Sequence, residues 1–199
     1  MNPHVVTEQF EAALCEYTGA RFAVSTTSCT MALLLACAYW RGPAHATGSH
    51  ITIPSHTYVG VPMSIMHAGW RVGFEELIWT GGYSLEPLPV VDSARHFTSG
   101  MYVEGVMQCV SFGWSKTLAI GQGGCVLHDN EEADAWLRRA RYDGRTAGSD
   151  APPTHLGYHA YMMPRDAAEG LSRLAVLPRH NDPLPNSEYM DLSTLEVFR

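Results

Sequence analysis

Residues 22–40, Phe22-Ala23-Val24-Ser25-Thr26-Thr27-Ser28-Cys29-Thr30-Met31-Ala32-Leu33-Leu34-Leu35-Ala36-Cys37-Ala38-Tyr39-Trp40, read as strand, polar turn and helix. Phe22 to Ser25 is a short apolar strand. Thr26 to Thr30 supplies hydroxyls where a helix needs a cap, and Met31 to Trp40 is the apolar helix that follows, stopped by Gly42-Pro43. Upstream, Thr7 precedes a pattern in which Phe10, Ala13, Leu14 and Tyr17 share a helix face that ends at Gly19. Downstream the alternation continues. His50 to Pro54 reads as a strand, the stretch from Thr57 to Gly69 as a helix, and Trp70 to Phe74 as a third strand. Leu88 to Asp92 is an apolar strand ending in a carboxylate, and Cys109 to Phe112 is another. Gly121-Gln122-Gly123-Gly124 turns into the strand Cys125 to His128. Asn130 caps a helix whose acids, Glu131, Glu132 and Asp134, come early and whose bases, Arg138, Arg139 and Arg141, come late, as the macrodipole favours. After a loop through Pro152-Pro153, one more helix runs from about Arg165 to Leu174. Strands alternating with helices predict an α/β fold with a mostly parallel mixed sheet flanked by helices.

With 199 residues, 46% of them hydrophobic, the chain builds one substantial core. The pattern divides it into one α/β domain over residues 1–180 and a weakly patterned tail over residues 181–199. The net charge of −7 comes from 20 acidic against 13 basic residues, and no basic run exceeds Arg138-Arg139. An extensive nucleic-acid surface is therefore not expected. Cys15, Cys29, Cys37, Cys109 and Cys125 form no C-x-x-C and sit mostly in apolar segments, which reads as buried thiols in a reducing cytoplasm. The N-terminus lacks a leader's basic and long apolar regions, and no apolar run approaches about 18 residues, so a cytoplasmic protein without membrane spans is expected. His45 with His50, and His155 with His159, find no cysteine or carboxylate at metal-site spacing. No metal is expected.

In α/β sheets, ligands collect where strand ends and helix N-termini converge, and four polar clusters fall at such places. Ser28-Cys29-Thr30 suits a phosphate at a helix start, or is a plain cap. Thr57-Tyr58 offers an aromatic ring that either stacks on a planar ligand or joins the core. Asp92 stands at an apolar strand end, able to pair with a pyridinium nitrogen or to cap the next turn. Ser111-Phe112-Gly113-Trp114-Ser115-Lys116 precedes the glycine turn. Partial desolvation there would favour a neutral, nucleophilic amine on Lys116, and the chain has so few lysines that this one stands out.

The order of these clusters resembles the DegT/DnrJ/EryC1/StrS family of sugar aminotransferases, fold-type-I enzymes dependent on pyridoxal 5′-phosphate (PLP). FEAALCEYTGARFAVSTTSCTMALLLA is similar to the family's opening, with Ser28-Cys29-Thr30 in place of its S-G-T phosphate motif. ITIPSHTYVGVPMSIMHAG resembles its second block and makes Tyr58 the ring-stacking aromatic. VVDSARHF resembles the D-A-A-Q segment, which pairs Asp92 with the pyridine nitrogen. SFGWSKTLAIGQGGCVL resembles the S-F-x-x-x-K and G-E-G-G block, which assigns the Schiff base to Lys116 and a phosphate contact to Ser111. HLGYHAYMMPRDAAEGLSRL resembles the G-Y-N-Y-R-M segment, which puts His159 where relatives reach the neighbouring subunit's cofactor. The resemblance implies an aspartate aminotransferase-like large domain, a homodimer with shared active sites, and a small-molecule amino donor and acceptor: a sugar nucleotide, an amino acid or a modified nucleotide.

The chain departs from that pattern in places. Set against the family, this sequence is roughly half the usual length; the resemblance implies a shortened member with a short N-terminal arm and without the C-terminal small domain, and EELIWTGGYSLEP stands in place of a strand-helix unit between Phe74 and Leu88. Arg95 stands where the family has Gln or His, as a cation that would stabilise the cofactor's phenolate or bind a substrate carboxylate. Gln122 replaces a Glu. Three functions are thus open: transamination, decarboxylation or related lyase chemistry with Arg95 steering a carboxylate, and a non-catalytic assembly role.

Overall fold

The computed structural model describes residues 4–42, 50–185 and 188–199. Helix α1 (Val5–Thr18) leads through Gly19 into strand β1 (Phe22–Thr26), then helix α2 (Cys29–Arg41). Strand β2 (His50–Pro54), helix α3 (Gly60–His67) and strand β3 (Arg71–Glu75) follow. Next come β4 (Tyr83–Ser84), β5 (Val90–Asp92), β6 (Met107–Ser111) and β7 (Gly124–His128), and then α4 (Glu131–Ala140) and α5 (Pro164–Leu174). Helix α1 starts two residues before Thr7, which is buried within its first turn rather than capping it. Ser28 and Asn130 do cap, their side chains accepting from Met31 N at 3.2 Å and Ala133 N at 3.0 Å.

The expected mostly parallel sheet is corrected. The main sheet has the order β1-β7-β6-β5-β4, and only β5 and β6 pair in parallel; β1 with β7, β7 with β6, and β5 with β4 are antiparallel. Connection length explains this. The links 85–89 and 112–123 fold back directly, whereas the parallel pair β5 and β6 is joined by the longer stretch 93–106, which crosses over without a helix. Strands β2 and β3, joined through α3, are parallel as expected but form a separate two-stranded sheet. The residue pattern reveals every strand except β4, and it does not reveal which strand pairs with which.

Two apolar layers sandwich the main sheet. Val90, Cys109 and Val126 face a cluster with Leu33 and Leu35 of α2, Ile65 of α3 and Leu137 of α4. Val110, Cys125 and Leu127 face Phe10 and Leu14 of α1, Phe112, and Leu174 of α5. Because β6 and β7 are covered on both faces, consecutive residues such as Cys109-Val110 and Cys125-Val126-Leu127 are apolar rather than alternating with polar ones. Each fully buried side chain such as Phe10 or Leu127 contributes about 1.5–3 kcal/mol. One charged cluster crosses this interior. Buried Glu11 accepts from Ser25 N at 2.9 Å, from Ser25 Oγ at 2.6 Å, from Arg138 Nη1 at 2.7 Å and from Arg141 Nη1, tying α1 to the end of β1.

After α5 the chain lies back over the carboxyl ends of the strands. Tyr17 Oη donates to Pro178 O (2.6 Å), Ser99 N to Arg179 O (2.9 Å), Leu184 N to Arg95 O (2.8 Å) and Leu192 N to Ser55 O (2.9 Å). Short 3-10 turns at Leu192–Thr194 and Glu196–Phe198 bury Leu192 and Phe198.

Candidate active site

Although most main-sheet pairs are antiparallel, β1, β5 and β6 all run the same way and only β4 and β7 oppose them. The carboxyl ends of β1, β5 and β6 therefore meet the start of β7 on one side, and a cavity of about 410 Å³ opens there. Ser28, Cys29, Thr30, Tyr58, Asp92, Arg95, Ser111 and Lys116 all line it. His159 does not. Its largely exposed imidazole makes contact with Asp143 Oδ2 (3.1 Å) through Nδ1 and lies edge-on to Tyr161, away from this chain's own cavity.

One end of the cavity suits an anion. Ser28 Oγ is engaged as a cap, but the N–H groups of Cys29 and Thr30, at the first positions of α2, have no intrahelical acceptor and carry the positive end of the dipole. Gly124 explains the last glycine of the turn motif. A Cβ there would lie 2.3 Å from Cys29 N and 2.5 Å from Ser28 C, so only glycine lets β7 start against the helix N-terminus. Ser111, ending β6, lines the same cavity.

The centre holds the two groups of opposite tendency. Asp92 is 6% exposed, and its carboxylate accepts from Ala94 N at 2.9 Å through Oδ1 and from Tyr83 Oη at 3.1 Å through Oδ2. Burial raises its pKa; the Ala94 N–H, the Tyr83 hydroxyl and the Lys116 charge oppose that without cancelling it. Lys116 sits in the β6–β7 connection, its N–H donating to Gly113 O at 2.9 Å. Partial burial, and then the Arg95 charge, pull its amine below the ordinary lysine range, against Cys29 and Asp92. A lysine shifted down and a carboxylate shifted up in the lining of one cavity make it a candidate reactive site.

The walls are aromatic. Tyr58, 55% exposed, lies over Gly60, where a Cβ would come within 2.7 Å of the tyrosine ring. Trp79 and Tyr189 also line the cavity, their rings stacked at 6.2 Å. The Arg95 guanidinium donates from Nη2 to Pro185 O, and its buried Nε has no hydrogen-bond partner among the described residues. Trp79, Tyr83 and Tyr189 are absent from the residues the sequence singles out. Tyr83 carries one readable signal: it stands in the stretch that departs from the family pattern and pairs directly across from Asp92.

Among the described residues no group of three or more His, Cys, Asp and Glu side chains is placed to hold a metal ion, and no helix is long and apolar enough to cross a membrane. His45 lies outside the described residues. All five cysteines are free, and all but Cys15 are buried.

The model of the DegT/DnrJ/EryC1/StrS aminotransferase family matches residues 4–77 and 101–183. Similar solved structures include the sugar aminotransferase CalS13 from Micromonospora echinospora (TM-score 0.73, 18% identity, covering 87% of this chain and 61% of that one). Helicobacter pylori PseC, an aminotransferase involved in pseudoaminic acid biosynthesis, aligns at TM-score 0.69 and 18% identity over 87% of this chain and 58% of its own. NtdA from Bacillus subtilis, solved with bound cofactor PMP, aligns at TM-score 0.70 and 17% identity over 86% of this chain and 48% of its own. The chain thus matches the fold-type-I aminotransferase fold while spanning about half to three fifths of these relatives' length. No curated protein matches it.

Proposed function

Because the chain belongs to the DegT/DnrJ/EryC1/StrS aminotransferase family, we propose that it is a PLP-dependent aminotransferase with Lys116 as its covalent and proton-transferring residue. The observation that carries this reading is the pairing of Asp92 with Lys116 in one cavity. Asp92 is buried with neutral hydrogen-bond donors alone, the surroundings that suit a protonated ring nitrogen. The donor set fits the cofactor at its other faces as well: unsatisfied N–H groups of Cys29 and Thr30 with Ser28 and Ser111 for the phosphate, and Tyr58 for the ring.

Bound there, PLP supplies an electron sink for bonds at an amino-bearing carbon. Asp92 would keep a proton on the ring nitrogen, and the α2 N-terminus would hold the phosphate. Lys116, its amine depressed by burial and by Arg95, would hold the cofactor through its neutral amine and, once displaced by the substrate's amino group, would take and return a proton at the amino-bearing carbon. The unit that carries these groups is one α/β domain, residues 1–180, with residues 181–199 laid against it. His159, turned away from its own cavity, reaches the neighbouring subunit's site in a homodimer. The substrates are a small-molecule amino donor and acceptor, with a sugar nucleotide the acceptor class that the relatives suggest.

A second reading, amino-acid decarboxylation or related lyase chemistry, is favoured by Arg95, whose buried Nε has no hydrogen-bond partner among the described residues and whose charge acts on Lys116, an arrangement that suits a carboxylate.

The test is direct because Lys116 is the chain's only lysine. Protein incubated with PLP and reduced with borohydride is expected to carry the cofactor on the peptide containing Lys116, and Lys116→Ala is expected to lose both this adduct and the lysine-dependent absorbance band. An adduct confined to the N-terminal amine would refute the reading. Amino donors then separate the chemistries: transamination leaves pyridoxamine phosphate and a keto acid, decarboxylation releases carbon dioxide.

A further inference from the structure

The stretch replacing the family's strand-helix unit contributes something the resemblance does not supply. Tyr83 pairs with Asp92 across β4 and β5, its phenol reaches the Asp92 carboxylate at 3.1 Å, and Thr57 Oγ1 lies 2.5 Å from the same phenol oxygen. Thr57, Tyr83 and Asp92 are all buried. We propose that Thr57 and Tyr83 form a hydroxyl relay that orients the Asp92 carboxylate toward the cofactor's ring nitrogen, making both of them positioning residues. The proposal rests on the PLP reading but concerns residues that the reading leaves unused.

Proton counting fixes the relay's direction. Tyr83 has one hydroxyl proton, and an ionised carboxylate only accepts, so that proton goes to Asp92 Oδ2. Thr57 must then donate to the Tyr83 oxygen. Burial and the Asp92 charge hold the Tyr83 phenol well above its ordinary pKa, so it stays a donor throughout the working range. With Ala94 N–H on Oδ1 and Tyr83 on Oδ2, both carboxylate oxygens are pinned, and rotation about the carboxylate bond would break one of the two. The other ionisable groups facing Asp92 are Cys29 at the start of α2, Cys109 on β6 and Lys116. Burial keeps both thiols protonated, leaving Lys116 the one charge that competes with the relay.

The measurement is PLP affinity by quenching of tryptophan fluorescence, together with the bound cofactor's absorbance across pH. Losing a hydrogen bond to a charged group is expected to weaken PLP about ten- to hundredfold in Tyr83→Phe, and losing the more distant neutral one about threefold in Thr57→Val. The pH at which the absorbance changes is expected to shift in Tyr83→Phe, which a merely structural tyrosine would not cause. In an Asp92→Asn background the Tyr83→Phe penalty is expected to vanish. Wild-type affinity with an unshifted pH profile, or an equal penalty in both backgrounds, overturns the relay. The same double-mutant cycle in urea unfolding of the apoprotein reads the Tyr83–Asp92 coupling without cofactor. Zero coupling there overturns the relay even if PLP binds; coupling in a wild-type protein that takes no PLP overturns the functional reading and leaves the contact standing.

Discussion

The two halves of the cavity are built by different means. Ser28, Asp92, Ser111 and Lys116 hang from the main sheet and its tight connections, with apolar layers on both faces fixing the register. Trp79 and Tyr189 come instead from the irregular residues ahead of β4 and from the chain after α5, where hydrogen bonds such as Trp79 Nε1 to His56 O at 3.0 Å and a few buried side chains do the holding. The sheet half shares its fate with the whole domain; the outer half can loosen by itself. Catalytic groups need the first kind of support, and substrate entry is compatible with the second.

The sharpest way to break this comparison is through Glu11, which ties α1 to the end of β1 just ahead of the phosphate-suited turn. Removing it leaves the Arg141 guanidinium buried without its carboxylate. Glu11→Ala is expected to cost about 3–5 kcal/mol in urea unfolding. The pH dependence has a definite sign. Burial alone would raise the Glu11 pKa, but Arg141, Arg138 and the hydrogen bonds to Arg141 and Ser25 outweigh it and hold it below its ordinary 4.5. A carboxyl depressed on folding stabilises above its unfolded value, and that contribution disappears as the pH falls through the lower folded value. Wild-type stability is therefore expected to fall in acid below about pH 4.5 more steeply than that of the variant. Equal acid sensitivity would mean that the cluster does not anchor the sheet half.

The same division governs what could be read from the sequence. Ser28, Asp92, Ser111 and Lys116 were legible because strand ends and helix starts have local signatures: a hydroxyl before an apolar helix, a carboxylate after an apolar run, a lysine before a glycine turn. The identity of neighbouring strands was not. Whether β7 pairs with β1 and β6 depends on how the helix-free connections turn back, which no periodicity records. Trp79, Tyr83 and Tyr189 escaped because aromatic residues in irregular stretches look alike whether they face solvent, core or cavity, and only the docked chain path places them. Residues 181–199 show little pattern because their burial is confined to isolated positions such as Leu192 and Phe198.

Leu192 probes the outer half. Its side chain is fully buried and its N–H is bonded to Ser55 O, next to the Thr57-Tyr58 cluster. Leu192→Ala is expected to cost about 2 kcal/mol in urea unfolding, the low end for a buried leucine because a surface stretch can close in on the space. PLP binding is expected to change less than in Tyr83→Phe. Undiminished stability, accompanied by protease cleavage beyond α5, would show that this stretch opens separately from the domain.

The smallest effect isolates the seam between the halves. The Tyr17 ring belongs to the sheet half, stacked on Phe97 with centroids 5.2 Å apart, while its hydroxyl donates to Pro178 O at 2.6 Å and accepts from Asn181 Nδ2 at 2.9 Å. Tyr17→Phe keeps the ring and cuts only the clasp, so about 1 kcal/mol is at stake. Hydrogen exchange resolves where that loss falls. The Ser99 amide, bonded to Arg179 O, is expected to exchange about fivefold faster, while amides of β7 such as Val126 keep their protection. Equal acceleration at both places would mean that the clasp is part of the cooperative core, and that the cavity has one kind of wall rather than two.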